Sequence, residues 1–155
     1  MIIRKAKLSD TEEILEVVNK YAKDGLMLPR SRSMVYECIR EFTVIERDGQ
    51  IIGVGSLHIM WVDLAEIRSL AVKEDYLLQG AGKKLVQYLM QEARKLGIGK
   101  LFTLTYKTEF FEKLNFSKVP KEKMPQKVWK ECINCPKFPD CDEVCMECIL
   151  MSEKL

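Results

Sequence analysis

The stretch that most constrains this chain is a strand running into a glycine-punctuated turn and then a helix. Glu66 to Val72 reads as the strand, Lys73 to Gln79 as the turn, and Gly80-Ala81-Gly82-Lys83-Lys84-Leu85-Val86 as the helix start. Leu85, Val86, Leu89, Ala93 and Leu96 fall on one helical face, and Gly97 ends the run. Two glycines at a helix start remove the side chains that would keep a phosphate from the backbone N–H groups. The unpaired amides and the positive end of the helix dipole then form an anion site. A ligand carrying a diphosphate is expected there, although the same glycines also suit a plain strand-to-helix turn.

Two common phosphate loops are excluded. A dinucleotide fingerprint needs a third small residue where Leu85 stands and an acidic residue about 20 positions on, and both are missing. A Walker loop needs Ser or Thr after the lysine, and Lys83 is followed by Lys84.

With 155 residues, 47% of them apolar, the chain suits one domain over residues 1–155. Its 25 basic and 23 acidic residues nearly cancel, which argues against a nucleic-acid partner. Apolar stretches such as 50–62 are too short for a membrane span, and the N-terminus has no signal-like region, so a cytoplasmic protein is expected.

Ile2 to Ala6 reads as a first strand. Ser9-Asp10-Thr11-Glu12 reads as a capping box with Ser9 at the cap, opening a helix through Ile14, Val17, Val18 and Tyr21 that Gly25 closes. Leu28-Pro29-Arg30-Ser31 leads to a second helix carrying Val35 and Ile39, with Phe42 near its end. Phe42 to Arg47, Asp48-Gly49 and Ile51 to Ile59 form a hairpin signal. Lys100 to Thr105 reads as a strand and Glu109 to Leu114 as a short helix. From about residue 128 to 150 the chain becomes cysteine-rich. The order is that of an α/β protein with a mixed sheet.

These residues carry a resemblance. Val72-Lys73-Glu74-Asp75-Tyr76 with Gln79-Gly80-Ala81-Gly82-Lys83-Lys84-Leu85-Val86 is similar to the acetyl-CoA motif of the GCN5-related N-acetyltransferases (GNAT), and the likeness extends from Ile2 through Phe116. The resemblance implies a GNAT-type fold, with a central, mostly antiparallel sheet flanked by helices and splayed fourth and fifth strands. It also implies acetyl-CoA as cosubstrate, its pantetheine arm along Leu70, Ala71 and Val72 and its diphosphate over Leu78, Gln79, Gly80, Ala81, Gly82, Lys83 and Lys84. Two positions depart from the family pattern. Leu77 replaces the usual Gln or Arg, and Phe111 stands where many members carry a tyrosine that protonates the departing thiolate.

Within the family, Leu28 to Ser31, Leu57 to Val72, Leu104 to Lys113 and Trp129 to Glu143 resemble the short N-acetylglutamate synthases of arginine biosynthesis. Longer synthases add an amino-acid-kinase-like domain, so an arginine feedback site housed there is expected to be missing. Amine acetylation needs a proton acceptor, a polarised thioester carbonyl and a proton for the thiolate. Strand periodicity puts Glu66 and Arg68 on one face, with Glu66 as base and Arg68 as carboxylate clamp. Arg30, followed by Ser31, is the second substrate clamp, and backbone amides near Val72 serve the carbonyl. Tyr106 is the phenol nearest the expected site and the candidate acid, while His58, the only histidine, reads as structural. A same-face ion pair of Glu66 and Arg68 and a solvated Arg30 are the plain structural alternatives.

Cys132, Cys135, Cys141, Cys145 and Cys148 place five thiols in a short tail, with two Cys-x2-Cys spacings that suit zinc or an iron–sulfur site; reduced, unligated thiols are the alternative. Cys38 reads as packing. The expected activity is direct acetyl transfer from acetyl-CoA to the α-amino group of glutamate, with small-molecule partners, no membrane partner and a homodimer as the oligomeric alternative to a monomer. Glutamine, another small amine or a protein N-terminus are alternative acceptors, and a non-catalytic acyl-CoA or metal sensor is the alternative class.

Overall fold

The computed structural model describes residues 1–124 and 142–150. Its strands are β1 (Ile2–Lys5), β2 (Phe42–Arg47), β3 (Gln50–Trp61), β4 (Leu64–Val72), β5 (Lys100–Thr105), β6 (Ser117–Lys118) and β7 (Val144–Ile149). The helices are α1 (Thr11–Lys23), α2 (Arg32–Glu37), α3 (Ala81–Lys95) and α4 (Thr108–Glu112). The strands hydrogen-bond in the order β1-β2-β3-β4-β5-β7-β6. The pairs β1–β2, β2–β3, β5–β7 and β6–β7 are antiparallel and β4–β5 is parallel, which is the expected mixed, mostly antiparallel sheet. The chain forms two compact units: Met1–His58 with Ile67–Glu92, and Ile59–Glu66 with the chain from Ala93 onward.

In the first unit β2 is covered on both faces, which is why Phe42, Thr43, Val44 and Ile45 are all buried. Val44 packs with Ile14, Val18, Val35 and Val54, while Ile45 packs with Ile52, Val72, Ala81 and Leu85. The hairpin forms as expected: Asp48 and Gly49 both take positive φ, 51° and 77°. The apolar face of α3 is buried through Leu85, Val86, Leu89 and Ala93, but Leu96 lies past the helix end and is exposed. Gly53 and Gly55 on β3 sit in close packing against side chains of β4 and α3. A Cβ on Gly55 would meet Leu70 Cδ1 and Leu89 Cδ1, each at 3.2 Å. Gly55→Val should therefore destabilise the fold by about 1–3 kcal/mol through overpacking, read as a lower urea midpoint at unchanged slope.

The capping box expected at Ser9 is not formed. Leu8–Asp10 makes a 3-10 turn instead, and Asp10 precedes α1 with its carboxylate turned back to Lys7 and Arg4 rather than capping the helix. The cause lies on β1. Arg4 donates to both Asp10 carboxylate oxygens, at 2.8 and 3.0 Å, and Lys7 N–H adds a third bond at 2.7 Å. A charge-assisted fork outcompetes a serine hydroxyl. The Arg4 guanidinium, followed by the Lys7 amide, holds the buried Asp10 carboxyl below its usual 3.8. Because its pKa is depressed on folding, Asp10 contributes stability at pH values above 3.8, and this is lost as pH falls through the folded value. Asp10→Asn should lower stability by about 1–3 kcal/mol at neutral pH and flatten that part of the acid slope, checked by urea unfolding from about pH 5 to about pH 2.

The second helix stops short of Phe42. Residues Ile39–Glu41 form a 3-10 turn after α2, and Phe42 already begins β2. In the second unit, β4 pairs with β5 from Leu64↔Lys100 to Glu66↔Phe102, and β5 pairs with β7 over six residues. β7 was read from sequence only as part of the cysteine tail. Cys145 instead packs with Leu64, Phe102 and Met124, acting as a small apolar residue.

Candidate active site

The β4–α3 connection has the geometry of an anion cradle. Helical bonding in α3 begins with Lys84 N–H donating to Gly80 O at 3.0 Å, so the N–H groups of Ala81, Gly82 and Lys83 precede the ladder. No acidic residue occupies the first turn of α3, and Lys83 and Lys84 are exposed. Gly80 has φ of +83°, which a side chain would strain, and open space where its Cβ would stand. Leu78 also has positive φ, 67°, and is fully exposed, an unusual conformation for a leucine. Leu70 is half-buried on β4, with Ala71 and Val72 buried beside it. The Tyr21 hydroxyl donates to Val72 O, fixing the strand end against α1.

Arg30 is built in from two sides. Asn19 on α1 clamps its backbone, accepting from Arg30 N at 2.9 Å and donating to Arg30 O at 3.0 Å. Its Nε donates to Ser69 Oγ at 3.0 Å. Ser69 has φ of 53° inside β4, a local irregularity that interrupts strand alternation directly after Arg68. The Arg68 carbonyl accepts from Ser56 Oγ at 3.1 Å. Arg30 is therefore not a solvated loop residue. Ser31 caps α2, its Oγ accepting from Met34 N at 3.2 Å. Sequence reading missed Asn19 and Ser69. The only signal for Asn19 was a poor helix former in mid-helix, and Ser69 gave none.

In the second unit Glu66 is a buried carboxylate, 8% exposed, register-paired with Phe102. Tyr106 donates to Asp142 Oδ1 at 2.6 Å, so it can protonate another group only by giving up that bond. Phe111 is walled in, edge-on to Phe110 and Phe116 with centroids 5.1 Å away in each case. His58 Nδ1 lies 3.0 Å from Glu41 Oε1, a local polar pair in keeping with a structural role.

The fold also brings thiols to places the sequence did not suggest. Burial, then the Glu41 and Glu37 carboxylates, push the Cys38 thiol up against a smaller opposing pull from Arg30 and Arg68. Cys145 lies within reach of Glu66 and Glu147, and burial, then those carboxylates, push its thiol up to about 12. Both stay protonated at neutral pH, which makes them poor nucleophiles.

Of the five cysteines assigned to a metal site, Cys132, Cys135 and Cys141 lie outside the described residues. Cys145 and Cys148 are three apart in β7 and thus on opposite faces, so this Cys-x2-Cys is not the turn-borne knuckle expected. Among the described residues no group of three or more His, Cys, Asp or Glu is placed to hold an ion, and no helix is long and apolar enough to cross a membrane.

The profile of the Acetyltransferase (GNAT) family matches residues 12–116, and the chain belongs to that family. It is accordingly an acyltransferase. An uncharacterised N-acetyltransferase of Chlorobaculum tepidum is 40% identical, over 93% of both chains. An amino-acid acetyltransferase of Mycobacterium tuberculosis is 35% identical, over 84% of this chain and 76% of the relative. Among solved structures, N-acetylglutamate synthase of Neisseria gonorrhoeae, complexed with coenzyme A and N-acetyl-glutamate, superposes with a TM-score of 0.88 at 27% identity. That match covers 97% of this chain but only 35% of the synthase. A Mycobacterium tuberculosis protein crystallised with CoA gives a TM-score of 0.84 at 31% identity, covering 97% of this chain and 100% of its own.

Proposed function

We propose that this protein transfers acetyl from acetyl-CoA directly to the α-amino group of glutamate, the first step of arginine biosynthesis in the cytoplasm. One observation carries the choice of acceptor. Arg30 is docked to β4 through Ser69, the residue that follows Arg68. Two guanidinium forks carried by neighbouring segments suit the two carboxylates of a dicarboxylic amino acid.

The donor side rests on the cradle of Leu78, Gln79, Gly80, Ala81, Gly82, Lys83 and Lys84. Its amides and cations suit a diphosphate, and coenzyme A is bound in the related structures. The thioester arm runs along Leu70, Ala71 and Val72, where strand amides polarise the carbonyl. Glu66 accepts the ammonium proton, directly or through water. The freed amine attacks the thioester carbonyl, and the C–S bond breaks as the thiolate takes a proton that Tyr106 supplies on leaving Asp142; the second proton lost from nitrogen restores the Tyr106 phenol, directly or through water. Direct transfer is preferred to an acetyl-cysteine intermediate because no cysteine lies near the Gly80–Lys84 motif in the sequence.

The deciding experiment follows thiol release from acetyl-CoA against free amino acids, simple amines and a peptide N-terminus. Release with glutamate well above the others is expected. Release only with glutamine or another amine would replace the acceptor, and CoA binding without turnover would replace the enzyme by a sensor.

A further inference from the structure

The β2–β3 hairpin is the template on which the phosphate loop is built. Its register skips a residue: Ile45 faces Gly53 but Glu46 faces Ile51, leaving Ile52 as the extra residue. The Ile52 carbonyl accepts from Lys73 N at 2.8 Å, which ties the first residue of the loop to the irregularity. Bulges re-aim neighbouring side chains, and here the last residue of β2, Arg47, meets the loop twice. Its Nη1 donates to Gln79 Oε1 at 2.7 Å, and its guanidinium lies over the Tyr76 ring, 5.5 Å from the centroid. Gln79 in turn donates to Asp75 O at 3.4 Å.

An exposed arginine is ordinarily mobile, and holding it costs side-chain entropy. This one is fixed beside Gly80 with Nε and Nη2 given no partner among the described residues, next to a helix start carrying Lys83 and Lys84. Of the nearby acids, Glu74 pairs with Lys20 at 3.6 Å. The loop's own residue at the position that usually carries Gln or Arg is Leu77, which offers no donor.

We propose that Arg47 binds a phosphate group of the coenzyme A donor, supplying from the β2–β3 turn the side-chain contact that Leu77 lacks. A guanidinium fork matches phosphate geometry bidentately, and Tyr76 and Gln79 set its plane in advance. The inference rests on acetyl-CoA being the donor.

The test is calorimetric titration of wild type, Arg47→Ala and Arg47→Lys with CoA and with 3′-dephospho-CoA, together with kcat/KM for acetyl-CoA and acetyl-pantetheine. Arg47→Ala should weaken CoA by about tenfold or more, with partial recovery in Arg47→Lys. A loss that persists with 3′-dephospho-CoA assigns the contact to the diphosphate. A loss confined to CoA assigns it to the 3′-phosphate, and either result supports the proposal. Unchanged CoA affinity in Arg47→Ala overturns it. An equal loss of kcat/KM with acetyl-pantetheine, which has no phosphate, also overturns it by showing that Arg47 only holds the loop. A wild-type protein that binds no CoA defeats the donor assignment itself, a result distinct from the other two.

Discussion

Glu66→Gln is expected to lower kcat by about 10²–10⁴-fold, the range for loss of a positioned general base. Coenzyme A affinity should change less than twofold. The substitution keeps the shape of a side chain that is 8% exposed and register-paired with Phe102, so packing is retained while proton acceptance is lost. Glutamine can still hydrogen-bond to an amine, so the variant separates orientation from deprotonation. Single-turnover quench experiments with saturating acetyl-CoA read the chemical step directly. An unchanged rate would mean that another group or solvent takes the ammonium proton, leaving Glu66 as a buried polar residue of β4. A matched fall in CoA affinity would instead indicate a damaged strand.

The elements legible in the sequence were those whose instructions are local. The Asp48-Gly49 turn, the apolar stripe of α3 from Leu85 to Ala93 and the β5 run from Lys100 to Thr105 each depend on neighbours within a few residues. β7 was not legible, because its cysteines invited a ligand reading and its partner β5 lies some forty residues upstream. The α1 start was misplaced because Arg4, on another element, captured Asp10. At the site, the glycine loop was readable from backbone requirements alone. The docking of Arg30 was not, since it needs Asn19 on α1 and a positive-φ serine in mid-strand, neither marked by composition. Arg47 lies in the same class: its meaning comes from a register skip at Ile52.

Arg68→Ala should raise the acceptor KM by about 10–100-fold, the worth of a charge-assisted contact to a carboxylate. The KM for acetyl-CoA should stay within about twofold. The same change is less clean at Arg30, whose Nε also holds Ser69, so Arg30→Ala removes a clamp and a strand contact together. Ser69→Ala separates the two, removing the hydroxyl while keeping both guanidinium groups. If Arg30 acts mainly by charge, Ser69→Ala should move the acceptor KM far less than Arg30→Ala. Glutamate and glutamine then show which carboxylate each fork holds. A fork on the side-chain carboxylate makes the two acceptors converge when it is lost, because glutamine never had that charge. A fork on the α-carboxylate leaves their ratio unchanged while both weaken. Arg68→Lys keeps the charge without the planar fork and should recover only part of the loss. If Arg68→Ala and Arg30→Ala both leave the acceptor KM unchanged, these arginines bind no carboxylate, and their closeness is a feature of the fold alone.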